Sequence, residues 1–176
     1  MADPIVDELA DLRARVERCE ATEACRRRFN EYLYYLDGGH LEDLLGLFAD
    51  DVQLDVMNFP PGSGNDLHYT GPDEIRKLYT AFAGEGARHH SANVSVVVNG
   101  AADRAEVTAY FHTVVEYALQ GGIYEVRLEP RGGNWHITWM RISSTWGWSV
   151  PHADPPFLKE TFGAGTLRDG RPPLDD

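Results

Sequence analysis

Cysteine is scarce in this chain: Cys19 and Cys25 are the only two among 176 residues. Their spacing within one helical stretch suits neither a bond between them nor the Cys-x-x-Cys grip of a zinc or redox centre. Both read as reduced thiols, and the expected compartment is the cytoplasm. Positive charge is also short, with 16 Lys and Arg against 28 Asp and Glu, a formal charge of −12 and a pI near 4.9. Such a surface repels phosphates and anionic lipid, so neither nucleic acid nor a membrane is an expected partner, and an uncharged or cationic small ligand is favoured. No apolar run approaches the roughly 20 residues that span a bilayer, and no basic segment followed by an apolar stretch opens the chain. Motifs are missing too. The sequence holds no HExxH, His-x-His or EF-hand spacing, and His40, His68, His112, His136 and His152 are dispersed, so no metal is expected. Neither GxSxG nor GxGxxG occurs, and the glycine-rich Pro60–Asn65 piece lacks the lysine and following helix of a phosphate loop. No cofactor is expected.

What is present suits one domain. A composition 43% hydrophobic and 11% aromatic in a chain of this length buries roughly 70% of the unfolded surface on folding. Ile5, Leu9, Leu12 and Val16 recur at helical intervals and predict a lead-in helix over 4–18. Thr22 is placed to cap a second helix, Arg26–Leu36, with Asp37 at its end and Gly38-Gly39 as the stop. A helical piece over Leu41–Phe48 and a strand over Val52–Val56 follow, then a loop through residues 57–66. A short strand at His68–Thr70 leads into a helix begun by Gly71-Pro72-Asp73, running through Ile75, Leu78, Tyr79 and Phe82, and ended by Gly84-Glu85-Gly86. From His89 the period changes to two. Four strands are expected, over residues 89–98, 105–119, 122–129 and 135–146, separated by turns at 99–103, 120–122 and 130–134 in an antiparallel meander. Helices first and strands last make the class α+β. Residues 1–150 form the domain, and 151–176, rich in proline, glycine and charge, form a C-terminal extension expected to wrap the surface or a neighbouring subunit.

Strand parity places Phe111, Thr113 and Tyr117 on one face with Ala109 and Val115, and Tyr110, His112, Val114 and Glu116 on the other. The first face reads either as the wall of a pocket for an apolar ligand or as plain core with Tyr117 at its rim. Tyr124 shares a face with Val126 and Leu128, where it either packs or donates to a ligand carbonyl. Trp135, Trp139, Trp146 and Trp148 cluster in the last strand and its exit, where an apolar pocket floor, a subunit interface or plain core would all use them, and core plus interface is the expectation. His89 and His90 point to opposite faces, so only one of them enters a pocket. Asp37 is badly placed for local electrostatics, because a helix C-terminus is the negative end of the dipole. A carboxylate there needs a partner from elsewhere, and a carboxylate that orients an imidazole makes a general base.

The order of these pieces carries a resemblance. Tyr32-x4-Asp37-Gly-Gly-His-Leu-Glu-Asp-Leu-Leu-x-Leu-Phe-Ala-Asp-Asp, Thr70-Gly-Pro-Asp73, Arg88-His89-x3-Asn93-x-x-Val96, Gly122-x-Tyr124 and Gly133-x-Trp135-x-Ile137 together resemble the SnoaL-like branch of the NTF2-like superfamily, over residues 5–148. The resemblance implies a cone-shaped α+β barrel, its curved, mixed but mostly antiparallel sheet wrapped around N-terminal helices over a deep pocket. It also implies a homo-oligomer, a dimer or trimer. Within the branch the sequence is similar to scytalone dehydratase, the bile-acid 7α-dehydratases and hexachlorocyclohexane dehydrochlorinase, which use an Asp–His dyad for cofactor-independent proton removal and elimination. Asp37 and His89 match that dyad by position.

The same resemblance frames the rest of the site. The tyrosines with which scytalone dehydratase holds a water align with Leu36 and Val56, the cationic helper of the dehydrochlorinase with Tyr32, and its late-strand arginine with Met140, Arg141 lying one step off. Tyr117 stands where a second pocket histidine occurs. The expected catalytic set is therefore Asp37, His89 and Tyr117, with Tyr32, Val56, Phe111, Thr113, Tyr124 and Met140 around the substrate. The expected function is a lyase, isomerase or cyclase, dehydration favoured, acting on an apolar cyclic or polyketide-like molecule. The alternative is a non-catalytic binding or assembly protein, such as the β-subunit of a ring-hydroxylating dioxygenase.

Overall fold

One helix of 35 residues, α1 (Pro4–Gly38), opens the chain in the computed structural model, which describes residues 4–84, 86–115 and 118–149. It is followed by α2 (Leu41–Leu45), β1 (Phe48–Met57), β2 (Leu67–Thr70), α3 (Gly71–Phe82), β3 (Arg88–Val98), β4 (Ala105–Val115), β5 (Ala118–Arg131) and β6 (Asn134–Ser149). The six strands form one mixed sheet in the order β2-β1-β6-β5-β4-β3. Its four C-terminal strands are the expected meander, each antiparallel to the next. The sheet is mixed because β1 lies parallel to β6. This is the α+β cone that the order of elements implies, with the sheet left open between its edge strands β2 and β3.

Alternation decides which face of the sheet turns inward. Val52, Leu54 and Val56 of β1, Val107, Ala109 and Phe111 of β4, and Tyr124, Val126 and Leu128 of β5 are all buried. They meet Cys25, Phe29, Tyr32, Leu33 and Leu36 of α1 and Ile75 and Tyr79 of α3 in one core. The aromatic members interlock: Tyr124 lies edge-on to Phe29 at 5.6 Å and to Tyr32 at 5.9 Å, and tilts against Phe111 at 4.6 Å. Each such ring pair contributes about 0.5–1.5 kcal/mol beyond the area it buries. Burial pushes the Cys25 thiol up to about 12, with Arg28 opposing, while Cys19 is exposed. Among the described residues no helix is long and apolar enough to cross a membrane.

Three expectations change. The lead-in helix and the second helix are one, because nothing between Arg18 and Arg26 breaks a helix; Thr22 is no cap, its hydroxyl donating to the Arg18 carbonyl at 2.7 Å within the helix. The piece expected over Leu41–Phe48 closes at Leu45, so that Phe48 enters β1 with Leu47 and Phe48 both buried. Gln120-Gly121-Gly122 is not a turn but part of β5, at a register shift against β6. Glycine is needed there for room: a Cβ on Gly122 would lie 1.9 Å from the Ser143 carbonyl oxygen and one on Gly121 would lie 2.5 Å from the Trp146 ring. Close backbone approach at a bulge and a tight turn use the same residue, and spacing does not separate them. Tyr117 and the extension 151–176 lie outside the described residues.

Candidate active site

Two glycines bring the ends of α1 and α3 into contact. Gly39, at φ +73°, and Gly84, at φ +76°, pack backbone to backbone, so that a Cβ on Gly84 would stand 2.9 Å from the Gly39 Cα. The Gly84 N–H donates to the Leu36 carbonyl at 2.9 Å. The chain leaving α3 is thereby pinned to the last turn of α1, and a few residues later it enters β3 at Arg88-His89. His89 arrives beside Asp37. The Asp37 carboxylate accepts twice: Oδ1 lies 2.5 Å from His89 Nδ1, and Oδ2 takes the His89 backbone N–H at 2.9 Å. The two side chains are 10% and 12% exposed. These donors offset the unfavourable end of the helix dipole, and the Arg88 guanidinium adds a bond to the Asp37 main-chain carbonyl at 3.4 Å. Because an ionised carboxylate only accepts, the contact assigns the proton to Nδ1 and leaves the lone pair of His89 on Nε2.

His89 lines a cavity of about 500 Å³ bounded by the sheet, α1, α3 and the loop between β1 and β2. Most of its wall is apolar, from Leu36, Val56, Leu78, Phe111 and Ile142 among others, and Leu67, Phe82 and Trp148, which are exposed as well, form its mouth. A volume of that order fits a small organic molecule. The polar groups are few and grouped. Tyr32, Tyr79 and Tyr124 all reach the wall, and the Tyr79 hydroxyl donates to that of Tyr32 at 3.0 Å. Burial pushes all three phenols well above their ordinary range, and the Asp37 carboxylate pushes Tyr32 and Tyr124 the same way. They therefore stay protonated and able to donate at any physiological pH. Thr113 stands directly across the β3–β4 ladder from His89. Thr113 is 1% exposed and lines the cavity, and its hydroxyl has no hydrogen-bond partner among the described residues. A buried unpaired hydroxyl is costly, and one that faces a cavity points to a ligand atom that would satisfy it.

The structure thus brings Asp37 and His89 together and places Tyr32, Val56, Phe111, Thr113 and Tyr124 around the same space. Met140 is the exception. It is fully buried in the core and is not among the lining residues, because β6 reaches the cavity only two residues later, at Ile142. Arg141 lies on the outer face, 3.6 Å from Asp55. Tyr117, expected in the catalytic set, lies outside the described residues. Tyr79, Gln120 and Ser144 line the cavity without having been singled out from the sequence. For Tyr79 a signal exists: it is a phenol on the apolar face of α3, and a hydroxyl on a buried face needs a partner. Among the described residues no three metal-ligating side chains cluster.

With this geometry in place, known proteins supply a context. Among curated protein sequences none matches this one. Solved structures match well in shape at low identity. A scytalone-dehydratase-like protein from Novosphingobium aromaticivorans superposes with a TM-score of 0.63 at 21% identity, over 77% of this chain and 91% of its own. The hexachlorocyclohexane dehydrochlorinase LinA-type3 from Novosphingobium barchaimii gives 0.65 at 18%, over 80% and 99%. An NTF2-like protein with a cystatin-like fold from N. aromaticivorans gives 0.64 at 19%, over 85% and 96%. At these identities the likeness establishes the fold. The SnoaL-like domain model matches residues 17–141, well over half of the chain, and the protein accordingly belongs to the SnoaL-like domain family.

Proposed function

We propose that the protein is a cofactor-independent lyase that removes water from a small, apolar, cyclic molecule carrying a hydroxyl β to a carbonyl. The observation that carries this reading is the double acceptance of His89 by Asp37 in the wall of an otherwise apolar cavity. Nε2 of His89 takes the proton from the carbon next to the carbonyl, and Asp37 holds the ring in place and stabilises the imidazolium that forms. The electron pair moves to the carbonyl oxygen, where neutral phenols of the Tyr32, Tyr79 and Tyr124 group donate to the developing enolate. As the pair returns to form the carbon–carbon double bond, the β-hydroxyl departs with the proton from His89 and leaves as water. Protons and electrons balance without an oxidant, a reductant or a metal. Dehydration is favoured over chloride loss because no cationic side chain stands among the described residues of the wall, so a neutral leaving group suits it better. The names carried by structural relatives, a dehydratase and a dehydrochlorinase, are those of elimination enzymes.

The test uses a panel of cyclic β-hydroxy ketones with the purified chain in deuterated water. Deuterium uptake next to the carbonyl is followed by NMR, and enone formation by absorbance. Both are expected with the native protein and not with His89→Ala. If cyclic ketones bind in the cavity while neither exchange nor elimination occurs, the chain is a binding or assembly module and the catalytic reading fails.

A further inference from the structure

Between Leu9 and Val16, α1 carries an apolar face that the described domain leaves exposed. Leu9, Leu12 and Val16 are 51%, 42% and 54% exposed, and the first helical residue in the core is Ala21. The helix turns about 100° per residue, so the nine steps from Val16 to Cys25 make about two and a half turns. The row Leu9–Leu12–Val16 therefore points to the side of the helix opposite Cys25, Phe29 and Leu36, which grip the sheet. A helix whose apolar side switches midway has two faces to bury, and this domain buries one. The row also lies outside the matched family segment, which begins at residue 17.

We propose that this row docks on the same helix of a second copy, in a parallel two-stranded coiled coil. The spacing supports it: Ile5, Leu9, Leu12, Val16 and Cys19 follow the alternating four-three interval of a coiled-coil seam. The flanking charges select the partner. Glu8 and Arg15 lie on one side of the seam and Arg13 and Glu20 on the other. In a parallel pair, Glu8 meets Arg13 of the partner subunit and Arg15 meets Glu20 of the partner subunit, so every flanking contact joins opposite charges. Arg15 is free to turn, since its contact with Asp11 on its own helix is an exposed one at 3.8 Å. Two heptads are short for an isolated coiled coil, but α1 is already ordered by its buried C-terminal half, and that removes most of the ordering cost from association. The sheet lies on the far side of the helix from the seam, so two domains flank the helix pair without meeting.

Sedimentation equilibrium of the full chain tests this, independently of any activity. A dimer is expected at micromolar concentration, and Leu9→Glu with Leu12→Glu should give a monomer with unchanged circular dichroism, since both positions are exposed. Oxidised glutathione should link dimers through Cys19, and Cys19→Ser should abolish the link. A native monomer at the same concentration overturns the proposal, as does a dimer that survives the double substitution. A dimer that Cys19 fails to link overturns the parallel arrangement. A chain that dimerises only after removal of residues 150–176 assigns the row to the chain's own tail and overturns it as well.

Discussion

Among the described residues the domain contains two Asp–His pairs, alike in their Nδ1–Oδ1 contact and different in their surroundings. Asp37–His89 joins a helix end to β3 with Nδ1 and Oδ1 2.5 Å apart, 12% and 10% exposed for histidine and aspartate. Asp55–His68 joins neighbouring strands, directly opposed in the β1–β2 ladder, with the same two atoms 2.7 Å apart, 66% and 19% exposed. Asp55 alternates with Leu54 and Val56, both buried, so parity turns its carboxylate to the outer surface, where Arg141 also approaches. Water screens that pair and competes for its ring. The inner pair is shielded, its aspartate is held by a backbone N–H as well, and its imidazole lines a cavity. An Asp–His contact thus also forms on the outer surface, and a site needs the cavity in addition.

Substitutions can break or sharpen this contrast. The largest effect is expected from His89→Ala, which should lower turnover at least about 100-fold with folding intact; circular dichroism and steady-state rates together check it. Asp37→Asn should also cost about 100-fold, since an amide cannot hold the same tautomer or stabilise the imidazolium. Equal loss of activity on His68→Ala would erase the distinction between the two pairs. Thr113→Val should act in two directions. Removing an unpartnered buried hydroxyl should leave the empty protein as stable or about 1 kcal/mol more stable, while substrate binding weakens several-fold; thermal melting and KM separate the two. The smallest effect is expected at the outer pair. His68→Ala or Asp55→Asn should leave turnover within about twofold and stability within about 0.5 kcal/mol of native, by the same assays.

Local patterns in the sequence carry much of this. The alternation around Phe111 and Tyr124, the Gly38-Gly39 stop and the Gly71-Pro72-Asp73 start each reflect a constraint that acts within a few residues, and all appear where expected. The failures lie where one residue type serves two geometries. Gly121-Gly122 makes room at a bulge instead of turning the chain, and Thr22 bonds back within a helix it was expected to begin. Nothing near Tyr79 along the chain marks it as a site residue, because its hydroxyl partner, Tyr32, is distant in sequence. The resemblance points to Met140 on β6, and only the depth of the cavity selects Ile142 instead.

By itself the sequence determined the class of fold, the inward faces of the strands, the acidic surface and the presence of an aspartate at a helix end in need of a partner. These follow from periodicity and local electrostatics, which are properties of neighbours along the chain. The resemblance already pairs that aspartate with His89; only the tertiary structure decided how Asp37 holds it, through the ring and the backbone N–H together, and that three phenols and a hydroxyl unpaired among the described residues share its cavity. Each depends on how segments distant along the chain meet in space.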